Sequence, residues 1–425
     1  PSATDAPPTR QTKQPALLHP REPMRADLLI VVLRVANAFT GFSHTSVHHR
    51  APPVRTTQVR ASAVPAGNSG GVEQKFKAEQ GTNARAAALM EEFDFPLGLA
   101  QQVVASAQSF PTRFWIVDDS GSMATGDGQM ISQSASGAKS IVGATRWQEV
   151  SADMTAAAAV SHEAGARTEF HPLNGGRPLT IQGTDKGDVA KVVKDLADLE
   201  PRGLTPLAAA TNRITAKIVL MAPALMMKNQ RVCVVIATDG TPTDDGFQEA
   251  LGRLQALPVW VVVRLCTDED SVIDYYNDLD AAMEAPMEVL DDLLGEAHEV
   301  CKLNRWLTYG PPMQNARQFG MQLRLFDDID ERALTPGQVK KFCELLLGCP
   351  PLPEPDLDRQ AFLDAIDTAL AAQPQVFDPI SKKMTPWIKT EFLEPHFDAQ
   401  SMNPIKAAAA KMRLAIPASP PFPGF

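Results

Sequence analysis

"RFWIVDDSGSMATGDG" (113–128) sets an apolar run of strand length directly against a loop of two adjacent carboxylates, two serines and small residues. A strand with one wet face alternates apolar and polar residues; a run this continuously apolar is expected of a strand covered on both faces. The same pattern recurs at "ARTEFHPL" (166–173), "RVCVVIATD" (231–239), "PVWVVVRL" (258–265) and, more briefly, "MEVLDD" (287–292). Between these runs lie segments of helical period: 145–165, 185–199, 205–226, 245–257 and 270–283. Several open on Thr or Asp in capping position, and Pro206 follows Thr205 as a helix-opening proline does. The alternation predicts an α/β fold, a doubly wound and mostly parallel sheet flanked by helices.

The chain has 425 residues, 44% of them apolar, enough for a substantial core. A formal charge of −10 without any Lys/Arg-rich block argues against nucleic acid as a partner. The five cysteines (233, 266, 301, 343 and 349) are too few and too scattered for a disulfide framework, and none forms a C-x-x-C pair; they read as thiols in a reducing compartment, with Cys343 and Cys349 idle rather than a redox couple. The apolar run Leu28–Leu33 is too short to cross a bilayer and no other stretch is longer, so no membrane span is expected.

"MRADLLIVVLRVANA" (24–38) has a basic residue, a short apolar run and a small-x-small site. The following segment, Phe39 to Val72, has no acidic residue and repeated arginines, serines and prolines. The pair resembles the bipartite presequence of algae with complex plastids, which implies a plastid location; a basic arm on a cytoplasmic protein is the alternative. His44, His48 and His49 lie in this arm without cysteines or carboxylates and read as idle. The expected organisation is a disordered N-terminal region carrying the presequence-like segment at 1–72, a helical lead-in at 73–109, the α/β domain at 110–305, a small α-helical C-terminal appendage at 306–395 and a mostly disordered tail at 396–425. In the appendage, 335–348 and 356–373 are amphipathic helices on either side of the joint "CPPLPEP".

In a doubly wound sheet, ligands bind beyond the carboxyl ends of the strands, where strand order reverses. The opening loop supplies Asp118, Ser120 and Ser122; "RGLTPL" supplies Thr205 at a helix start; "VCVVIATDGTPTD" supplies Asp239 at a strand end. All five are hard oxygen donors on one predicted rim, a set that suits Mg²⁺, with Mn²⁺ or Ca²⁺ as substitutes. Gly121 allows the serine loop a close approach.

These residues resemble the metal-ion-dependent adhesion site of the von Willebrand factor A-domain family. Asp118, Ser120 and Ser122 match its D-x-S-x-S loop, Thr205 its threonine loop and Asp239 its T-D-G loop, over roughly 110–305. The resemblance implies a Mg²⁺-dependent protein-interaction module that takes an exposed Asp or Glu of a partner, with the loops around Gly121, Gly240 and Thr241 facing that partner. It also implies no catalysis. Two other readings stay open: a non-motor partner of an AAA+ ATPase in an assembly like magnesium chelatase, and a metal-dependent hydrolase using Ser120 or Ser122 with His162 or His171 as base. "SASGAKS" (134–140) resembles a phosphate-binding loop but lacks its G-K-S/T core. Asp119 and Asp127 are expected on solvated surface and Met226 and Met227 in the core. From Leu265 to Cys301 twelve Asp/Glu occur without a Lys or Arg, which reads as a solvated acidic face, or else as a docking surface for a basic partner or a second cation site.

Overall fold

The computed structural model describes residues 69–400 except 284 and 286, so residues 1–68, where a targeting segment and three idle histidines were expected, and residues 401–425 lie outside the described residues. Helices α1 (Ser69–Phe93) and α2 (Leu97–Ser109) lead into β1 (Thr112–Val117). A hairpin, β2 (Gly128–Gln133) and β3 (Lys139–Ala144), precedes α3 (Arg146–Ala164). Then follow β4 (Arg167–Pro172), β5 (Leu179–Ile181), α4 (Lys186–Ala197), α5 (Leu207–Met227), β6 (Val232–Thr238), α6 (Phe247–Gln255), β7 (Val259–Leu265), α7 (Asp270–Ala282) and β8 (Glu288–Leu290). The chain continues through α8 (Leu293–Leu303), α9 (Pro311–Gln318), α10 (Arg324–Glu331), α11 (Pro336–Leu347), α12 (Arg359–Leu370), β9 (Val376–Asp378) and β10 (Lys383–Thr385).

Six strands form the main sheet in the order β5-β4-β1-β6-β7-β8. All pairs are parallel except β5, which runs antiparallel to β4 at the edge. The doubly wound α/β architecture expected from the apolar runs is therefore present. Both central strands, β1 and β6, are buried at every residue. Phe114 and Ile116 enter one core with α5, α6 and α7, while Trp115 and Val117 enter the opposite core with α3 and α4. Period-two alternation is thus present in β1, with both faces apolar.

A third core lies beyond α3. Leu89 of α1, Leu99 and Val103 of α2, Val160 of α3 and Val300 of α8 pack with Trp306, Phe342, Phe362 and Trp387. The segments before and after the sheet, separate in sequence, share this one core. Packing continues in the helical residues 393–400 to Phe397, whose ring meets Phe362. Arg113, at the start of β1, ties sheet to helices: its guanidinium donates to the carbonyls of Phe110 and Phe319 at 2.8 Å each and lies 3.3 Å from the centre of the Phe319 ring. Among the described residues no helix is long and apolar enough to cross a membrane, and all five cysteines are free thiols.

"SASGAKS" is the turn of the β2–β3 hairpin, where Ser134 N donates to Ala138 O and Gly137 takes φ +88°. Met226 and Met227 are 70% and 84% exposed, contrary to expectation, because they fall on the outer face of α5.

Part of the acidic 265–301 segment is internal. Arg317 donates to Glu288 at 2.6 Å, Glu296 at 2.6 Å and Asp330 at 2.8 Å, with its own side chain 4% exposed. This joins the last strand of the sheet to α8, α9 and α10. Burial pushes Glu288 up to about 7 and Glu296 up to about 8, against the opposing pull of Arg317. A carboxyl whose pKa is higher folded than unfolded binds more protons in the fold, so its contribution to stability falls as pH rises from about 4.5 towards about 8. Replacing Arg317 by Met should therefore cost about 3–5 kcal/mol near neutral pH, the usual effect of stranding a buried charge. The loss should be smaller at pH 5 than at pH 8 in urea unfolding, since both glutamates are then free to hold protons; an equal loss at both would contradict the assignment.

Candidate metal centre at the crest of the sheet

After β1 the chain turns to β4 on one side, and the strand on the other side is β6, so strand order reverses between β1 and β6. The register pairs Val117 with Ala237, and Asp118 N donates to Ala237 O at 2.8 Å. Asp118 is therefore delivered beside Thr238 and Asp239. It is fully buried, with Oδ1 accepting from Ser120 N at 2.9 Å and Oδ2 from Thr238 Oγ1 at 2.7 Å. Burial raises its pKa, the Ser120 and Thr238 hydrogen bonds hold it down, and the nearby Asp239 charge raises it again.

Beyond Asp118 the backbone makes one 3₁₀ turn, Gly121–Ala124. That turn folds Ser122 back towards the strand ends. Ser120 Oγ and Ser122 Oγ are 2.9 Å apart, and Ser122 Oγ donates to Asp239 Oδ1 at 2.9 Å. Four of the five sequence-selected residues thus form one hydrogen-bonded cluster. Thr205, the fifth, is in the adjoining loop, fastened by Gly121 N to Gly203 O at 3.2 Å. A side chain at Gly203, whose φ is +89°, would meet Asn174 at 2.5 Å, so glycine is required where the threonine loop meets the loop after β4. Thr205 itself exchanges two bonds with the loop after β6: its N donates to Thr243 Oγ1 at 3.1 Å and its O accepts from Thr243 N at 3.0 Å.

Asp119 is buried, not solvated. One carboxylate oxygen accepts from Asn174 N at 2.8 Å and Asn174 Nδ2 at 3.1 Å, while Asn174 Nδ2 also reaches Leu204 O at 2.7 Å. It braces the loop after β4 against the threonine loop. Asp127 remains half-exposed but is paired through both oxygens with Arg146, at 2.8 and 2.7 Å.

Arg146 was not singled out from the sequence. Its guanidinium also reaches Asp239 Oδ2 at 3.1 Å and Glu269 at 2.9 Å. The one available signal was electrostatic: a cation in the first turn of a helix opposes the helix dipole and needs carboxylates to hold it there. The threonine loop has a similar hidden support. The first N–H groups of α5 have no local side-chain cap, and Asp244 supplies one from the loop after β6, accepting from Ala208 N at 3.0 Å and Ala209 N at 2.8 Å.

At the crest Gly121, Ser122 and Thr241 are exposed, whereas Asp118, Ser120, Thr205 and Asp239 are buried. Among the described residues no three His, Cys, Asp or Glu side chains converge in a metal-holding group; the candidate set is instead two carboxylates with hydroxyls. The recorded bonds of Ser120 Oγ and Ser122 Oγ run to each other and to Asp239, not to a histidine. His171 instead pairs with Glu169 at 3.0 Å on β4.

No protein-family model and no curated protein matches the chain. Solved structures with local similarity include manganese-loaded TRAP protein of Plasmodium vivax (15% identity, TM-score 0.30, covering 43% of this chain and 69% of that one). The VWA domain of SpRpn10 aligns at 15% identity and TM-score 0.28 over 43% of this chain and 88% of that one. Proximal thread matrix protein 1 of the mussel byssus aligns at 14% identity and TM-score 0.26; the match spans 36% of this chain and only 37% of that one.

If Asp244 caps α5, Asp244→Ala should lower unfolding stability by about 1 kcal/mol, the usual cost of a lost N-cap. Equilibrium denaturation measures it, and an unchanged midpoint would show the cap to be idle.

Proposed function

We propose that this chain is a metal-dependent protein-interaction module of the von Willebrand factor A type, which takes an acidic side chain of a partner protein through Mg²⁺. Asp118, Ser120, Ser122, Thr205 and Asp239 would hold the ion. The observation that best supports this reading is the run Ser120–Ser122–Asp239 beside the buried Asp118, at the point where strand order reverses. Every donor is a hard oxygen, only two are carboxylates, and Ser122 faces solvent, which fits an ion that keeps some water and accepts an outside ligand.

When bound, the ion supplies a concentrated positive charge for a partner carboxylate. The protein's own residues prepare its seat. Thr238 and Ser120 fix the rotamer of Asp118, Asp119 and Asn174 fix the spacing of the loops, and Gly121 leaves the approach open. Arg146 acts in the opposite sense. Its charge already compensates Asp239, so it stabilises the loops without metal and competes with the ion for the same carboxylate.

In titration calorimetry, Asp118→Ala and Ser122→Ala should each abolish the Mg²⁺ heat seen with the wild type while the far-ultraviolet circular dichroism stays unchanged. An unchanged Mg²⁺ isotherm in both variants would remove these residues from the site. Arg146→Met should bind Mg²⁺ roughly tenfold more tightly, equivalent to about 1.4 kcal/mol, and unfold at a lower temperature in EDTA; weaker binding in this variant would show that Arg146 supports the ion instead. Affinity capture with Mg²⁺ and with EDTA, followed by identification of the retained protein, tests the partner. Retention of an AAA+ ATPase would favour a chelatase-like assembly, whereas Mg²⁺-dependent turnover of an ester or phosphate would replace the binding reading by a hydrolytic one.

A further inference from the structure

The outer face of α5 is apolar in a protein of net charge −10. Leu220 and Met227 are 85% and 84% exposed, with Val219 at 50% and Met226 at 70% beside them, and Pro223 lies between. At 3.6 residues per turn, 216, 220, 223 and 227 fall on one stripe, the spacing by which a helix meets another helix. Solvated helices normally carry charges in this position, and contiguous exposed apolar surface of this kind marks an interaction site.

The charge on α5 itself is of one sign. No Asp or Glu occurs from Thr205 to Arg231. Arg213, Lys217 and Lys228 follow one edge of the stripe, and on the other side Arg253 of α6 is held to Asn212 at 3.0 Å. Among the described residues, Lys217 on this helix is bonded to Glu169, which is buried and shared with Arg167 and His171. Two other occupants suit the face less well. An anionic membrane would repel the molecule as a whole, and the stripe has no aromatic residue to anchor it at a headgroup layer. A second copy packing α5 on α5 would oppose cation to cation.

We propose that the exposed stripe of α5 is a docking surface for an amphipathic helix of another protein, one that lays apolar residues on Leu220, Pro223 and Met227 and carries Asp or Glu along its edges. Met227 on the stripe, with Met226 beside it, lets the surface adapt to the partner's side chains. This goes beyond the metal site and is independent of it, because Leu220 lies about 20 Å along the helix axis from Leu207 at the crest.

Two synthetic helical peptides with the same leucine stripe, one flanked by glutamates and one by lysines, are titrated into the full chain in EDTA and followed by fluorescence anisotropy. The glutamate peptide should bind at least tenfold more tightly than the lysine peptide. A Leu220→Ser, Met227→Ser double variant should weaken it at least tenfold with circular dichroism unchanged, and an Arg213→Glu, Lys228→Glu variant should reverse the order of the two peptides. The proposal is overturned by equal affinities, by failure of both peptides to bind, by undiminished binding to the serine variant, or by loss of binding in EDTA, which would move the contact to the crest. It is also overturned if sedimentation shows wild-type dimers that the serine variant lacks, or if anionic vesicles capture the wild type but not that variant.

Discussion

The crest depends on the parallel register of β1 with β6. By placing Val117 beside Ala237 it brings two carboxylates, Asp118 and Asp239, out of the sheet side by side. Burying two like charges together costs several kcal/mol unless each is compensated. The compensation is built from neighbours on at least four segments: Thr238 at the end of β6, Ser120 and Ser122 in the loop after β1, Arg146 at the start of α3, with Asp127 and Glu269 balancing the arginine. Apart from the Ser120 N–Asp118 bond, which is local to the loop after β1, these contacts cross between segments. A crest of short connections on a twisted sheet is thereby held as one assembly.

The same economy explains why the loops touch so closely. Asp119 has its carboxylate spent on Asn174, Gly203 is bare so that Asn174 can press against it, and Gly121 hydrogen-bonds the Gly203 carbonyl. Asp244 then anchors the helix that Thr205 begins. The threonine loop is placed by partners on both sides, with Gly203 supplying the backbone conformation that the close approach needs.

What was legible beforehand follows from which signals are local. The runs at 113–117, 231–238 and 258–265 are mostly apolar and the crossovers carry caps such as Thr145 and Asp185, so strands and helices were readable within a residue or two. Edge elements were not. β5 has three residues, and the β2–β3 hairpin was hidden because its Ser-Gly turn drew attention as a false phosphate loop, although Met130, Ile131 and Val142 with a Gly at φ +88° make an ordinary hairpin. The oxygen donors of the crest could be found because their residue types are unusual at strand ends. Arg146, Asp119 and Asp244 could not, because nothing in their immediate sequence reveals a partner 93, 55 or 36 residues away. The exposed methionines failed for the reverse reason: hydrophobicity fixes a residue's preference for burial but not the availability of a neighbour to bury it.

The third core, built from the segments on both sides of the sheet, bears on how the molecule reaches its native state. Leu97 N donates to the amide oxygen of Gln373 at 2.8 Å across 276 residues, and Arg113 reaches Phe319 across 206. Contacts of such sequence separation carry a large loop-closure cost that only a formed sheet can reduce, by bringing the two flanks to one side of α3. Closure of this core is therefore expected late in folding, and on a ribosome it must wait until residues as far as Phe397 have emerged. Until then Val160 and Ala164 of α3 present an apolar face to the cell, so the nascent α/β domain passes through a stage in which its exposure to chaperones and to aggregation is set by synthesis of the C-terminal helices.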